Sequence, residues 1–552
     1  MMHPSVFNTS RFFESHGIKK AVFSPGSRNA PLIVSFARNE QIKKWIIPDE
    51  RAAGFVALGI SQKAEEPVVL CCTSGTAVLN YAPAIAEAYY REIPLIVLSA
   101  DRPPHLIDQR DGQTIRQHEV LKKHVKASYQ LPIINDTASA TEYERLLGDA
   151  LENLHQLPKG PIHINVPFQE PFYPDQHQKL VFDNISQGAP TQASTQPHKL
   201  PEIKKEWFLD KKVLLLIGQK RSNSELDEVL EKVAHHLPIL HSPLNNVMLH
   251  GIRHVDYFLS DQPELKPDVL ITTGLSVLSK KLKNFIRKHR PERHLHFDLS
   301  GVAVDTYQSN PILIRDTLLN FLRSNDYLQS VNTSYAQQWK TYSRITKESL
   351  SKFRYPKTLS ETECFYYLLN KLPSGADLHL GNSMPVRFSE LFDIPQNIEV
   401  WSNRGTSGID GCTSTAIGTA MVSDQLNVLL TGELAFLYDR NAFFHNYQTK
   451  NLRVIVSNNQ GGGIFRLIDG PSGLPELEDY FETRHNRTAE YLCKENHIEY
   501  YTAKNKRELE EVLADFFHPG NQPKLLEVFT EPNVNQQVFK DLKQFIHEQL
   551  NH

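Results

Sequence analysis

Short, unbroken apolar runs alternate along this chain with turn residues and helix-length amphipathic stretches. Lys20–Phe23 leads into Ser24-Pro25-Gly26-Ser27-Arg28. Val68–Cys72 leads into Thr73-Ser74-Gly75-Thr76 and a helix through Ala88, and 94–98 is the next run. Runs of this kind, apolar on both faces, are the pattern of strands buried in a parallel sheet. The pattern recurs at Val213–Ile217, 269–272 and 294–297, and again at 378–380, 428–431, 453–457 and 524–528. It predicts an α/β protein with three consecutive doubly wound, mainly parallel-sheet domains at 1–183, 201–330 and 358–552. The Gln, Ser, Thr and Pro in 184–200 predict a linker. The polar, amphipathic stretch 331–357, ending at Tyr355-Pro356, predicts a helical connector.

Length agrees, since 552 residues exceed what one core supports. The net charge of −3, from 60 basic and 63 acidic residues, argues against a general nucleic-acid binder. Five cysteines without a CxxC spacing point to a reduced, cytoplasmic protein. The start, Met1-Met2-His3-Pro4-Ser5, lacks the basic and apolar regions of a signal peptide. The longest apolar runs are strand-sized, so no membrane span is expected.

In doubly wound sheets, ligands sit beyond the carboxyl ends of the strands. Two distant patches fall there. The first is Pro48-Asp49-Glu50-Arg51-Ala52-Ala53-Gly54. The second runs from Thr431-Gly432-Glu433-Leu434 to Ser457-Asn458-Asn459-Gln460-Gly461-Gly462-Gly463. A diphosphate is best neutralised by a hard cation, Mg²⁺ or Mn²⁺, held by a carboxylate and neutral oxygens. Glu433, the Asn459 side chain and the Gly461 carbonyl match that set, and the glycines let backbone approach the phosphates. The 23 residues between Leu434 and Asn458 are expected to hold a helix at 438–450 and a returning strand at 453–457. The plain alternative is an ordinary Asn/Gly turn. In the first patch, Glu50 suits the acid that thiamine diphosphate needs against its pyrimidine ring, with burial raising its pKa. The plain alternative is a first-turn glutamate behind the helix cap Asp49.

The surroundings of these patches carry further motifs in order. They are Ser24-Pro25-Gly26-Ser27-Arg28-Asn29-Ala30-Pro31-Leu32, Thr73-Ser74-Gly75-Thr76-Ala77, Ala100-Asp101-Arg102-Pro103-Pro104 and Gln113-Thr114-Ile115-Arg116-Gln117. Gly381-Asn382-Ser383 with Arg387, and Ser402-Asn403-Arg404-Gly405-Thr406-Ser407-Gly408-Ile409-Asp410-Gly411, follow. Together they resemble the 2-succinyl-5-enolpyruvyl-6-hydroxy-3-cyclohexene-1-carboxylate synthases of menaquinone biosynthesis. The likeness covers the first and third blocks nearly end to end and the middle block weakly.

The resemblance implies thiamine diphosphate, Mg²⁺ or Mn²⁺, and a homodimer or homotetramer with active sites between subunits. It implies decarboxylation of 2-oxoglutarate and 1,4-addition of the product carbanion equivalent to isochorismate. Both substrates are dicarboxylates, which suits a set of arginines. Carried over, Glu50, Ser27, Gln113, Arg387 and Arg404 are catalytic candidates. Arg28, Arg102, Arg116, Lys280, Lys281, Ser383 and Phe465 are substrate-binding candidates. Ser407, Ile409, Gly432, Leu434, Gly462 and Gly463 would line the cofactor, with Ile409 as an apolar wedge or else a core residue. The ligands Glu433, Asn459 and Gly461 would hold the metal.

Three positions depart from the family pattern: Glu433 stands for Asp, Asn458-Asn459-Gln460 for three asparagines, and Lys280-Lys281 for Lys-Arg. The longer Glu433 moves its carboxylate by roughly one bond length, which weakens Mg²⁺ or favours a larger ion. Competing readings are another thiamine diphosphate 2-oxo acid decarboxylase or carboligase, or an inactive cofactor-binding relative. A nicotinamide or flavin enzyme is disfavoured, because no GxGxxG follows a strand.

Overall fold

The computed structural model describes residues 3–170, 173, 201–249, 251–260, 262–324, 326–468 and 470–551. The expected linker at 184–200 lies outside the described residues. Three sheets follow one another along the chain. The first holds β1 (Lys20–Phe23), β2 (Lys43–Ile46), β3 (Val68–Cys72), β4 (Leu95–Asp101), β5 (Ser128–Gln130) and β6 (Ile162–Pro167), in the order β2-β1-β3-β4-β6-β5. The middle sheet holds β7 (Val213–Ile217), β8 (Ile239–Leu240), β9 (Val269–Thr273), β10 (Arg293–Phe297) and β11 (Ile312–Ile314), in the order β11-β10-β9-β7-β8. The third holds β12 (Asp377–Leu380), β13 (Glu399–Trp401), β14 (Asn427–Gly432), β15 (Leu452–Asn458), β16 (Glu499–Ala503) and β17 (Lys524–Phe529), in the order β13-β12-β14-β15-β17-β16. The pairings are parallel throughout.

Numbered from its own first strand, the third sheet repeats the order of the first, a kinship that leaves no repeat in the sequence. In all three sheets the winding reverses between the first and third strands, where doubly wound folds open a crevice. In the first sheet that point joins two motif loops: a Cβ on Gly26 would stand 2.4 Å from Thr73 Cβ. In the third it joins Gly381 to Thr431, where a Cβ would meet Thr431 Oγ1 at 2.7 Å.

The first and third sheets share one core across a helix pair. Helices Glu50–Ala64 and Cys412–Ala420 each follow the second strand of their sheet. A Cβ on Gly59 would lie 2.1 Å from the Thr415 carbonyl oxygen, and one on Gly418 would lie 2.1 Å from that of Val56. Only glycine lets the two backbones touch in this way. Lys63 Nζ meets the fully buried Asp377 at 2.7 Å across the same seam. Within the expected connector, the helix Thr333–Lys352 buries Trp339 against Phe258, with ring centroids 5.9 Å apart. Among the described residues no helix is long and apolar enough to cross a membrane. The five cysteines are buried free thiols.

Candidate active site

The pairing of β14 with β15 sets Gly432 opposite Ser457, so the loops that follow both strands emerge side by side. Glu433 is the first residue of the helix Glu433–Tyr438, where the helix dipole favours a carboxylate. It is 2% exposed. Its Oε1 accepts from the Gly461 N–H at 2.7 Å and lies 3.6 Å from His485 Nε2. Burial pushes the Glu433 carboxyl above its usual range, opposed by His485 and the Gly461 N–H. The two asparagines of the loop divide their work. Asn458 donates to Glu527 at 2.7 Å and accepts from the Gln460 N–H at 3.0 Å, which ties the strand ends together. Asn459 keeps a buried Oδ1 with no hydrogen-bond partner. A Cβ on Gly463 would stand 2.8 Å from Asn459 Nδ2. One buried carboxylate, one free amide oxygen and adjoining glycine backbone form an oxygen-only donor set, which fits a hard divalent cation. Among the described residues no cluster of three His, Cys, Asp or Glu offers a softer alternative.

The helix lies at 433–438 and not at the expected 438–450, followed by a 3₁₀ turn at Arg440–Phe443. Asp439 explains the break. Its buried carboxylate turns inward to accept from Ser414 N–H and Oγ, at 2.7 and 2.8 Å, and anchors the chain where a longer helix would carry it away.

A second cluster gathers beyond β12 and β13. Asn382 donates to the carbonyls of Asn403 and Gly408, at 2.7 and 2.6 Å, and accepts from Arg404 Nη1 at 2.7 Å. Arg404 keeps a buried Nε without a partner. Burial, then the neighbouring Arg387, lower its pKa from the usual range. Arg387 is exposed and donates to the carbonyl of Ser383, a residue at φ +75°. From the first sheet, the buried Glu87 accepts from the N–H groups of Gly405 and Thr406, at 2.9 and 2.6 Å, and so holds the loop that carries Ser407 and Ile409. Ile409 is 39% exposed, which separates it from the core. Phe465 packs half-buried on Phe481 with centroids 5.6 Å apart. Gly432, Leu434, Gly462 and Gly463 are partly exposed around the loop. Lys280 and Lys281 are exposed in the first turn of the helix Lys280–Lys288. The neighbouring Lys283 instead lines a cavity of about 810 Å³ together with Arg404.

A third cluster belongs to the first sheet. Arg28, 5% exposed, donates to the Phe168 carbonyl at 3.0 Å and to Glu170 at 3.2 Å. Arg102 donates from Nε to the Gly112 carbonyl at 3.1 Å and reaches Gln113 Oε1 at 3.5 Å, and its buried Nη1 has no partner. Ser27 and Gln113 are exposed. Gln117 pins their loop by donating to Asn165 at 2.7 Å and accepting from the Gly75 N–H at 3.1 Å. Arg116 stands apart, 84% exposed and paired to Asp108 at 2.9 Å.

Glu50 begins its helix behind Asp49, whose carboxylate accepts from the Ala52 N–H at 3.1 Å. The helix start is bolted to the third sheet: Asn441 donates to Asp49 at 2.7 Å, and Arg51 donates to the Tyr438 carbonyl at 2.8 Å. Glu50 itself is half-buried and meets Asn80 at 3.5 Å. Among the described residues no hydrogen bond links it to the 459–463 loop.

Sequence reasoning missed Glu361, His485, Glu87 and Lys283. Glu361 is 3% exposed, accepts from Ser457 Oγ at 2.9 Å and lies close to the Asn459 amide. Burial, with Glu433 nearby, pushes its carboxyl up to about 7. The Ser360-Glu361-Thr362-Glu363 stretch does carry a helix-start signature, with Ser360 Oγ accepting from the Glu363 N–H. His485 belongs to no local pattern.

The family model "Thiamine pyrophosphate enzyme, N-terminal TPP binding domain" matches residues 9–124, which hold Glu50 and the first-sheet arginines. The crystal structure of benzoylformate decarboxylase from Polynucleobacter necessarius superposes with a TM-score of 0.65 at 16% identity. The match covers 96% of this chain and 99% of that one, and it supports the three-sheet fold. A 2-succinyl-5-enolpyruvyl-6-hydroxy-3-cyclohexene-1-carboxylate synthase from Cytophaga hutchinsonii is 41% identical, over 99% of both chains. Proteins of the same name from Flavobacterium johnsoniae and Porphyromonas gingivalis are 38% and 36% identical, over 98% and 97% of this chain and 100% and 96% of theirs. With loops, arginines and parallel sheets arranged as described, and identity sustained over its whole length, the chain belongs to the 2-succinyl-5-enolpyruvyl-6-hydroxy-3-cyclohexene-1-carboxylate synthase family of thiamine pyrophosphate enzymes.

Proposed function

We propose that this chain decarboxylates 2-oxoglutarate and adds the resulting succinyl-semialdehyde carbanion equivalent 1,4 to isochorismate. The products are CO₂ and 2-succinyl-5-enolpyruvyl-6-hydroxy-3-cyclohexene-1-carboxylate, for menaquinone biosynthesis. The observation that carries this reading is the buried, unpartnered Asn459 Oδ1 on the loop whose Gly461 N–H pins Glu433, in a chain matching such synthases end to end. Glu433, Asn459 and Gly461 would hold Mg²⁺ or Mn²⁺. Gly432, Leu434, Gly462, Gly463, Ser407 and Ile409 would line thiamine diphosphate. When bound, that cofactor supplies the electron sink for loss of CO₂.

The chain's own residues bind, orient and manage protons. Arg404 and Arg102 each keep a buried N–H in reserve, which suits a substrate carboxylate. Arg28, Arg387, Lys280, Lys281 and Ser383 add charge and hydrogen bonds around them. Ser27 and Gln113 donate to substrate oxygens, Phe465 closes an apolar side, and Arg116 contributes from the rim. Glu50 holds a proton against the pyrimidine of a cofactor seated on the third sheet of a partner subunit. The exposed Ile46, Leu79, Tyr438 and Phe444 near its helix start suit burial in such a seam. The reading takes in a cytoplasmic homodimer or homotetramer and domains at 1–183, 201–330 and 358–552.

The test is an assay with 2-oxoglutarate and isochorismate, with and without thiamine diphosphate and Mg²⁺. Product formed only with both additions is the expected result. Turnover of pyruvate but not 2-oxoglutarate would support a smaller-substrate carboligase. Cofactor binding without any turnover would support an inactive relative.

A further inference from the structure

The two side chains that reach toward the candidate metal are each held by a residue that lies outside the motifs and belongs to another segment. Asn459 is an amide, and an amide can present either its oxygen or its nitrogen. Its orientation here is set from below. Glu361, the first residue of the helix Glu361–Asn370, is a buried acceptor that takes a hydrogen bond from Ser457 Oγ at 2.9 Å, two residues before Asn459, and its carboxylate lies close to the Asn459 amide. An acceptor on that side suits the amide nitrogen, and Oδ1 is the buried atom that has no partner.

Glu433 poses the opposite problem, since its extra methylene gives the carboxylate more freedom than an aspartate has. His485 Nδ1 accepts from the Arg487 N–H at 3.1 Å, so the neutral imidazole carries its proton on Nε2. That Nε2 is buried, makes no hydrogen bond, and lies 3.6 Å from Glu433 Oε1. The His485 segment is itself laced to the glycine loop: His485 N–H donates to the Gln460 carbonyl at 3.2 Å, and Gly462 N–H donates to the Glu482 carbonyl at 2.7 Å.

We propose that Glu361 and His485 are positioning residues for the metal: Glu361 turns the Asn459 oxygen toward the ion, and His485 steadies the over-long Glu433 carboxylate. This deepens the proposed metal site and rests on that reading. Such partners of metal ligands typically tune affinity 10–100-fold.

The experiment titrates Mg²⁺ and Mn²⁺ calorimetrically into the full chain with thiamine diphosphate saturating, with circular dichroism and thermal unfolding of the metal-free protein as controls. Glu361→Ala is expected to weaken both ions about 10–100-fold, and Glu361→Gln, which keeps an acceptor for Asn459, to restore most of the loss. His485→Ala is expected to weaken them about tenfold in the wild-type background. The same change in a Glu433→Asp background is expected to matter less, because the shorter acid needs less steadying. If Glu361→Ala does not fold, Glu361→Asp decides, since it keeps the charge at the helix start but withdraws the carboxylate by one methylene. Folded variants that bind both ions as tightly as wild type overturn this inference alone. Wild-type protein that binds no divalent ion with the cofactor overturns the metal reading beneath it as well.

Discussion

Glu50 and Glu433 are both first residues of helices, and both belong to the proposed cofactor site, yet they sit in opposite surroundings. Glu433 is almost wholly buried, with a backbone N–H and an imidazole against it, and the loop it contacts carries a buried amide oxygen without a partner. Glu50 is half-buried and, among the described residues, its one side-chain hydrogen bond is a long contact from the exposed Asn80. The third sheet thus carries the more enclosed of the two proposed acids, and the first sheet the more open one. On the proposed reading, the diphosphate end would be pre-organised by folding and the pyrimidine end completed by assembly.

The comparison can be broken most decisively at Glu50. Glu50→Gln should lower kcat by about 10²–10⁴-fold, the usual worth of a placed proton-transfer group, while calorimetry finds the cofactor and Mg²⁺ still bound. Near-normal turnover would remove Glu50 from the site. Glu433→Ala should do the reverse and abolish metal-dependent cofactor binding. Mixing these two inactive variants then sharpens the contrast. If each site draws Glu50 from one chain and Glu433 from the other, random re-pairing restores about a quarter of wild-type activity, since half the dimers carry one intact site. No recovery on mixing would place both acids in one chain's site.

Smaller effects test the arginines. Arg404→Ala should raise the KM for a dicarboxylic substrate about 10–100-fold, the loss of a charged hydrogen bond worth about 1.5–3 kcal/mol. Glu433→Asp should leave Mg²⁺ binding unchanged or tighten it a few-fold, read by calorimetry, because the shorter side chain is the one Mg²⁺ sites of this pattern use. Arg116→Ala should change KM least, by about fivefold or less, because an exposed ion pair contributes only about 0–1 kcal/mol.

Much of the fold could be read from the chain before any coordinates. Central strands such as β3, β7 and β9 are buried on both faces and therefore appear as unbroken apolar runs. The strands that the pattern did not reveal are mainly the sheet edges: β2, β5, β8, β11, β13 and β16. They are short: β8 and β11 are two- and three-residue apolar pieces, and others are mixed in polarity, as Lys43-Lys44-Trp45-Ile46 and Ser128-Tyr129-Gln130 show. One interior strand, β6, was also hidden, because its buried His163 and Asn165 interrupt the apolar pattern. Their partners Ser99, Asp101, Gln117 and Gln130 lie far away in sequence.

The same division runs through the site. Residue type and local order alone determined the loops that end strands, the carboxylates that open helices and the glycines that admit a phosphate, because each follows from the chemistry of a few consecutive residues. Only the folded chain decided that Asn459 and not Asn458 keeps a free oxygen, that Asp439 cuts the Glu433 helix short, and that Glu361 and His485 stand behind the two candidate ligands. Those outcomes depend on polar contacts between segments 25 to almost 100 residues apart, and such neighbours exist only once packing has brought the segments together and excluded water.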